Sequence, residues 1–169
     1  VVRAEWLGDG VLGVGLDRPE CRNALDLSMV EGLFDALGVV GLRVLVLSSA
    51  SPGWFCSGAD LNLDDATRAK LSRRLYELYE AMLSSPALVV AAPDGPAVGG
   101  GAQLVVASDL VVASPRTRLR FVGMAHGLVV GAWGLLGAVG RGRTVQWCAT
   151  MRWVEADEAL AAGVFQEIV

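Results

Sequence analysis

Phe55-Cys56-Ser57-Gly58-Ala59-Asp60-Leu61 and Asp94-Gly95-Pro96-Ala97-Val98-Gly99-Gly100-Gly101 are the two stretches able to present bare backbone to a ligand. Glycine lets a ligand or a neighbouring strand approach where a Cβ would block it. Such segments can leave N–H groups unpartnered, and a helix beginning at Gly100 would add its positive dipole end. Two donors aimed at one oxygen form an oxyanion hole, which stabilises a developing oxyanion or enolate. Ordinary tight turns are the plainer reading of the same residues.

Other chemistries find no support. Gly99-Gly100-Gly101 is not followed by Lys-Ser/Thr, and Gly13-Val14-Gly15 lacks the third glycine of a dinucleotide fingerprint. No G-x-S-x-G nucleophile elbow occurs. Cys21, Cys56 and Cys148 are odd in number and hold no CxxC spacing, which predicts reduced core thiols in a cytoplasmic protein. A single histidine, His126, excludes a multi-histidine metal site within one chain. No metal or redox cofactor is expected.

The elements that would position the two segments are partly legible. Residues 5–7 and 11–16 flank Gly8-Asp9-Gly10 and predict a hairpin. Arg18-Pro19-Glu20 breaks the second strand. Ser28 and Glu31 have capping-box spacing, and Val30, Leu33, Phe34 and Leu37 fall on one helical stripe. Residues 44–47 predict a buried strand. The clearest helix spans 67–83, with Leu71, Leu75, Leu78 and Met82 on its apolar face. Strands over 88–92 and 110–113 bracket a loop at 93–101 and a helix beginning at 103–107. A last helix covers 156–162, with Gly163 in a C-cap position. Short apolar strands alternating with helices imply an α/β domain with buried sheets.

The carboxylates near these segments have structural readings. Asp60 suits a turn or helix start, and Asp64 and Asp65 suit the N-terminus of the 67–83 helix. Asp94 sits in a Pro-Asp-Gly-Pro turn. The five tryptophans are scattered and read as core or interface.

The 169 residues suit one domain, 1–169, and 53% hydrophobic with 19% charged residues argues against disorder. The net charge of -4 and the lack of a basic stripe argue against a nucleic-acid partner. Residues 121–140 carry no formal charge apart from a possible His126, but their six glycines break the run, so buried loop and helix is expected there and not a membrane span. No charged segment followed by an apolar run opens the chain, and no signal peptide is expected.

Taken in order, several motifs resemble the enoyl-CoA hydratase/isomerase (crotonase) superfamily. They are Asn23-Ala24-Leu25 after Arg18-Pro19, the 55–61 segment, Val90-Ala91-Ala92 running into 95–101, and Ala107-Ser108-Asp109. Ala156-Asp157-Glu158-Ala159-Leu160 to Gly163-Val164 looks like the family's late A-x-E-A-x-x-x-G-L-V segment. The set covers nearly the whole chain. It implies a crotonase-like (ClpP/crotonase) spiral of ββα units, without the C-terminal helices that usually follow. It implies an acyl-CoA or acyl-carrier-protein thioester as ligand, no cofactor beyond the coenzyme A of that thioester, and a homo-oligomer, a trimer or dimer of trimers. The amides of Ala59 and Gly100 match the family's oxyanion hole. Arg22 and the residues Ser57, Gly58, Asp60 and Leu61 match segments that line the CoA moiety; Arg22 reads equally as a solvated surface residue.

The departures bear on mechanism. Where hydratases of this family carry two glutamates, this chain has Gln103 and, without gaps, Gly123. Glutamine hydrogen-bonds but does not exchange a proton at neutral pH, and hydration requires an acid/base pair. Decarboxylating members keep the hole and do without those glutamates, because loss of CO2 itself generates the enolate. His126, just before Gly127, could then be the acid that protonates carbon. Decarboxylation or isomerisation is therefore expected over hydration. The alternatives are a non-catalytic thioester-binding or assembly homologue, and a hydratase with displaced acids at Asp64 or Asp65.

Overall fold

The computed structural model describes residues 1–126 and 133–169. The hairpin forms as expected: β1 (Val2–Gly8) and β2 (Val11–Leu16) pair antiparallel, with Gly10 at φ 72° in the turn. There follow α1 (Leu27–Leu37), β3 (Val44–Ser49), α2 (Asp65–Leu83), β4 (Leu88–Ala91), β5 (Ala97–Val98) and α3 (Gly100–Val106). Then come β6 (Leu110–Ala113), β7 (Arg118–Arg120), α4 (Trp133–Thr150), β8 (Val154–Glu155), α5 (Ala156–Ala161) and β9 (Glu167–Ile168).

The main sheet has strand order β1-β2-β3-β4-β6-β9 and is parallel from β2 onward. A smaller sheet orders β5-β7-β8. Period-two burial is clear in β2, where Leu12, Val14 and Leu16 point inward, and in β3, where Leu45 and Leu47 do. One apolar cluster joins these strands to Met29 and Leu33 of α1, Leu71 and Leu78 of α2, and Leu104 of α3. The expected stripe of α2 is buried, and Tyr79 is buried with it.

Several expectations are corrected. The N-cap of α1 is Asp26, not Ser28: the Asp26 carboxylate accepts from the Met29 amide at 2.8 Å, which moves the helix start forward. The 93–101 loop contains β5, and α3 begins at Gly100 rather than Gln103. The short strands β7, β8 and β9 were not expected; two or three residues carry too little periodicity to be seen. Of 121–140, expected to be buried, residues 123–126 form a 3-10 turn and 127–132, including Gly127, lie outside the described residues. The helix α4 that follows is largely exposed and breaks at Gly140 (φ 73°). Among the described residues no helix is long and apolar enough to cross a membrane. Of the described tryptophan side chains, Trp147 is buried while Trp6 is 49% exposed, so only the former is core.

Candidate active site

The two glycine segments are stitched to each other. Cys56 and Ala97 form a parallel bridge, in which Val98 N donates to Cys56 O at 2.9 Å and Cys56 N donates to Pro96 O at 3.2 Å. The fit leaves no room for a side chain: a Cβ on Gly101 would lie 2.5 Å from the Cys56 carbonyl oxygen. Asn23 braces the first segment from behind. Its buried side-chain amide donates to Ser49 Oγ, Trp54 O and Phe55 O, while its carbonyl accepts from Arg18 N. This network is the physical content of the Arg18-Pro19…Asn23-Ala24-Leu25 motif.

A second bridge aims Ala59. Leu25 N donates to Gly58 O at 2.7 Å, and Asp60 N donates to Leu25 O at 2.9 Å. Successive peptides of an extended chain point to opposite sides. With Gly58 O and Asp60 N turned toward Leu25, the Ala59 amide points away from it. Gly100 is the first residue of α3, so its N–H has no intrahelical acceptor. The two amides are neighbours: a Cβ on Gly58 would lie 3.4 Å from Gly100 N, and one on Gly100 would lie 3.5 Å from Ala59 N. Neither amide donates to another described residue. Gly58 holds φ +100°, and its Cβ would also lie 2.9 Å from Val98 O, so glycine is required at this turn. Behind Gly100, the buried Tyr79 hydroxyl donates to Gly100 O at 3.1 Å.

These amides border a cleft of about 640 Å3. Ser57, Gly58, Ala59, Leu61, Gly99 and Gly100 line one side. Across from them in sequence, α2 contributes Arg68, Ser72, Leu75 and Tyr76, and Gln103, Val122, Gly123 and His126 complete the lining. Gln103 is only 4% exposed, and its side-chain nitrogen has no partner among the described residues. Gly123 is buried, while His126 is exposed at the end of its 3-10 turn. Asp65 is the one carboxylate among the described lining residues; its side chain is 96% exposed and pairs with Arg68.

The structure thus gathers Ala59, Gly100, Gln103, His126, Ser57, Gly58 and Leu61 around one cleft. Arg22 and Asp60 do not line this cleft. Arg22 is exposed with φ 56° and lies 5.0 Å from the Trp54 ring centroid, a cation–π contact. Asp60 serves the turn: its carboxylate accepts from Asn62 N at 3.0 Å and pairs with Arg18 at 3.2 Å. Asp64 caps α2, and its bonds from the Thr67 hydroxyl and amide hold its carboxyl below the usual range, which does not suit a proton donor. Asp94 pairs with Arg116 in its turn. Cys56 is no nucleophile: burial pushes its thiol up to about 12, and its sulfur donates to Asn23 O. Among the described residues no cluster could hold a metal ion.

The sequence did not point to the α2 wall. Arg68, Ser72 and Tyr76 are not among the buried residues of the helix and lie outside its expected apolar stripe of Leu71, Leu75, Leu78 and Met82. Only Tyr79, four residues after Leu75, carried a signal, as an extra member of the buried stripe.

The chain belongs to the enoyl-CoA hydratase/isomerase family, whose model matches residues 7–169. It is 38% identical over 166 residues to the Mycobacterium tuberculosis protein named "Probable enoyl-CoA hydratase echA6", an alignment covering 95% of this chain and 68% of that one. The crystal structure of enoyl-CoA hydratase from Bacillus anthracis superposes with TM-score 0.91 at 26% identity, covering 99% of this chain and 69% of that one. Enoyl-CoA hydratase from Mycobacterium smegmatis superposes with TM-score 0.87 at 29% identity, covering 99% and 69%. The fold is therefore the crotonase-like α/β fold.

Proposed function

We propose that the cleft binds an acyl thioester of coenzyme A or acyl-carrier protein and stabilises its enolate, in a decarboxylation or a double-bond isomerisation. The observation that carries this reading is the adjacency of the Ala59 and Gly100 amides, both without an acceptor among the described residues, on the wall of a cleft. A thioester oxygen placed there accepts from both. As a donor pair of this kind gains strength when the oxygen becomes anionic, each donor contributes about 3 kcal/mol to the transition state.

Hydration is disfavoured by what stands beside the hole. Gln103 and Gly123 line the cleft and neither transfers a proton. In decarboxylation the bond between the α-carbon and the carboxylate breaks and its electron pair enters the enolate. CO2 leaves, and His126, on the cleft lining, delivers a proton to the α-carbon. Association of copies, a trimer in the family pattern, is part of the same proposal and is read by light scattering.

The test is incubation with malonyl-CoA, methylmalonyl-CoA, glutaconyl-CoA and crotonyl-CoA, with products followed by mass spectrometry beside a His126→Ala variant. CO2 loss that slows about 100-fold in the variant is expected. Water addition to crotonyl-CoA would overturn the argument from Gln103 and Gly123. Thioester binding without any turnover would replace catalysis by a binding or assembly role.

A further inference from the structure

Gln103 carries an unmet demand. Its side-chain nitrogen is buried, and neither end of its carboxamide is bonded to any described residue. Among the described residues the Trp147 indole nitrogen is also buried without a close acceptor, but it lies near the Glu158 carboxylate and does not line the cleft. A buried donor left without an acceptor is costly, which is why such groups are rare in folded proteins. A ligand in the cleft that brings an acceptor to this carboxamide meets the demand.

The position of Gln103 limits where that acceptor can be. Gln103 follows Gly100 by one turn of α3, and residues three apart share a helix face about 5–6 Å apart. A thioester oxygen on the Gly100 and Ala59 amides therefore leaves the carboxamide within reach of a group on the α-carbon. Gly123, buried on the same lining, contributes no side chain that would fill this space. A 3-enoyl chain, the substrate of an isomerase, brings only C–H groups to this place. A carboxylate on the α-carbon brings two acceptor oxygens.

Building on the thioester-binding reading above, we infer that Gln103 is a specificity-determining residue that donates a hydrogen bond to a carboxylate on the α-carbon, which makes malonyl-type (2-carboxyacyl) thioesters the substrate class. This selects decarboxylation over isomerisation. It also gives the glutamine a positive role. A glutamate at the same position would be charged and would repel the substrate carboxylate.

The test separates charge recognition from thioester binding. The sulfonate analogue of malonyl-CoA cannot lose CO2, and 3,3-dimethylbutyryl-CoA is its apolar isostere. Both are titrated calorimetrically into the wild-type protein, Gln103→Leu and Gln103→Met, with thermal melts confirming that each variant folds. The sulfonate ligand is expected to bind about 10-fold more weakly to each variant. The isostere should bind as well or better. Equal changes for both ligands, or none for the sulfonate, would overturn the role of Gln103 while leaving the thioester site standing. If neither ligand binds the wild type, the thioester reading falls and this inference with it.

Discussion

The cleft has two walls made in different ways. One is backbone: Gly58, Ala59, Gly99 and Gly100 present peptide groups fixed by interstrand bridges and by contacts that exclude a Cβ. The other is side chains: Arg68, Ser72 and Tyr76 from α2, with Gln103 and His126. The backbone wall cannot change without disturbing the joint between the two loops. Arg68, Ser72 and Tyr76 can change one at a time, because α2 is held by its buried residues and these three are not among them. The backbone wall is therefore the more constrained of the two, and Gln103 and Gly123 stand on the same cleft.

The contrast can be broken most sharply at Gly58. Gly58→Ala forces a Cβ against Val98 O at a φ of +100° and displaces the Ala59 amide. Turnover should fall about 100-fold to 1,000-fold in steady-state assays. Retained activity would show that this wall is not the oxyanion site.

Tyr79→Phe asks how far the backbone wall depends on a side chain behind it. The variant leaves Gly100 O without its hydroxyl donor and should cost about 1 kcal/mol in denaturant unfolding, with less than a 10-fold effect on turnover. A larger kinetic effect would mean that Tyr79 sets the aim of the Gly100 peptide.

Asp65→Asn is expected to do least. Its carboxylate is exposed, so its pairing with Arg68 contributes little, and turnover should stay within about 2-fold of the parent. A collapse of activity would revive a hydratase mechanism with displaced acids.

What could be read from the sequence follows from how local the signals are. The hairpin, α2 and the two glycine segments were legible because alternation, a 3.6-residue period and glycine clusters are written over short windows. The purpose of Asn23 was not legible, because its four bonds reach residues 18, 49, 54 and 55. The contact of Arg22 with Trp54 was not legible either, because it joins residues 32 apart and depends on a left-handed backbone at Arg22. The Ser28 capping box failed because a better-placed acceptor, Asp26, stood two residues earlier.

The sequence alone determined the family, the longer elements and the residue types available for catalysis. It already held the absence of both expected glutamates, since no fold can give a glutamine or a glycine a titratable carboxylate. Tertiary structure decided which groups share a cleft. Ala59 and Gly100 are far apart in the chain, and their amides meet only because the Leu25 and Cys56 bridges press two loops together. The burial of Gln103 without a partner is likewise a property of packing: hydrogen-bond satisfaction is a sum over neighbours in space, and a linear pattern does not contain it.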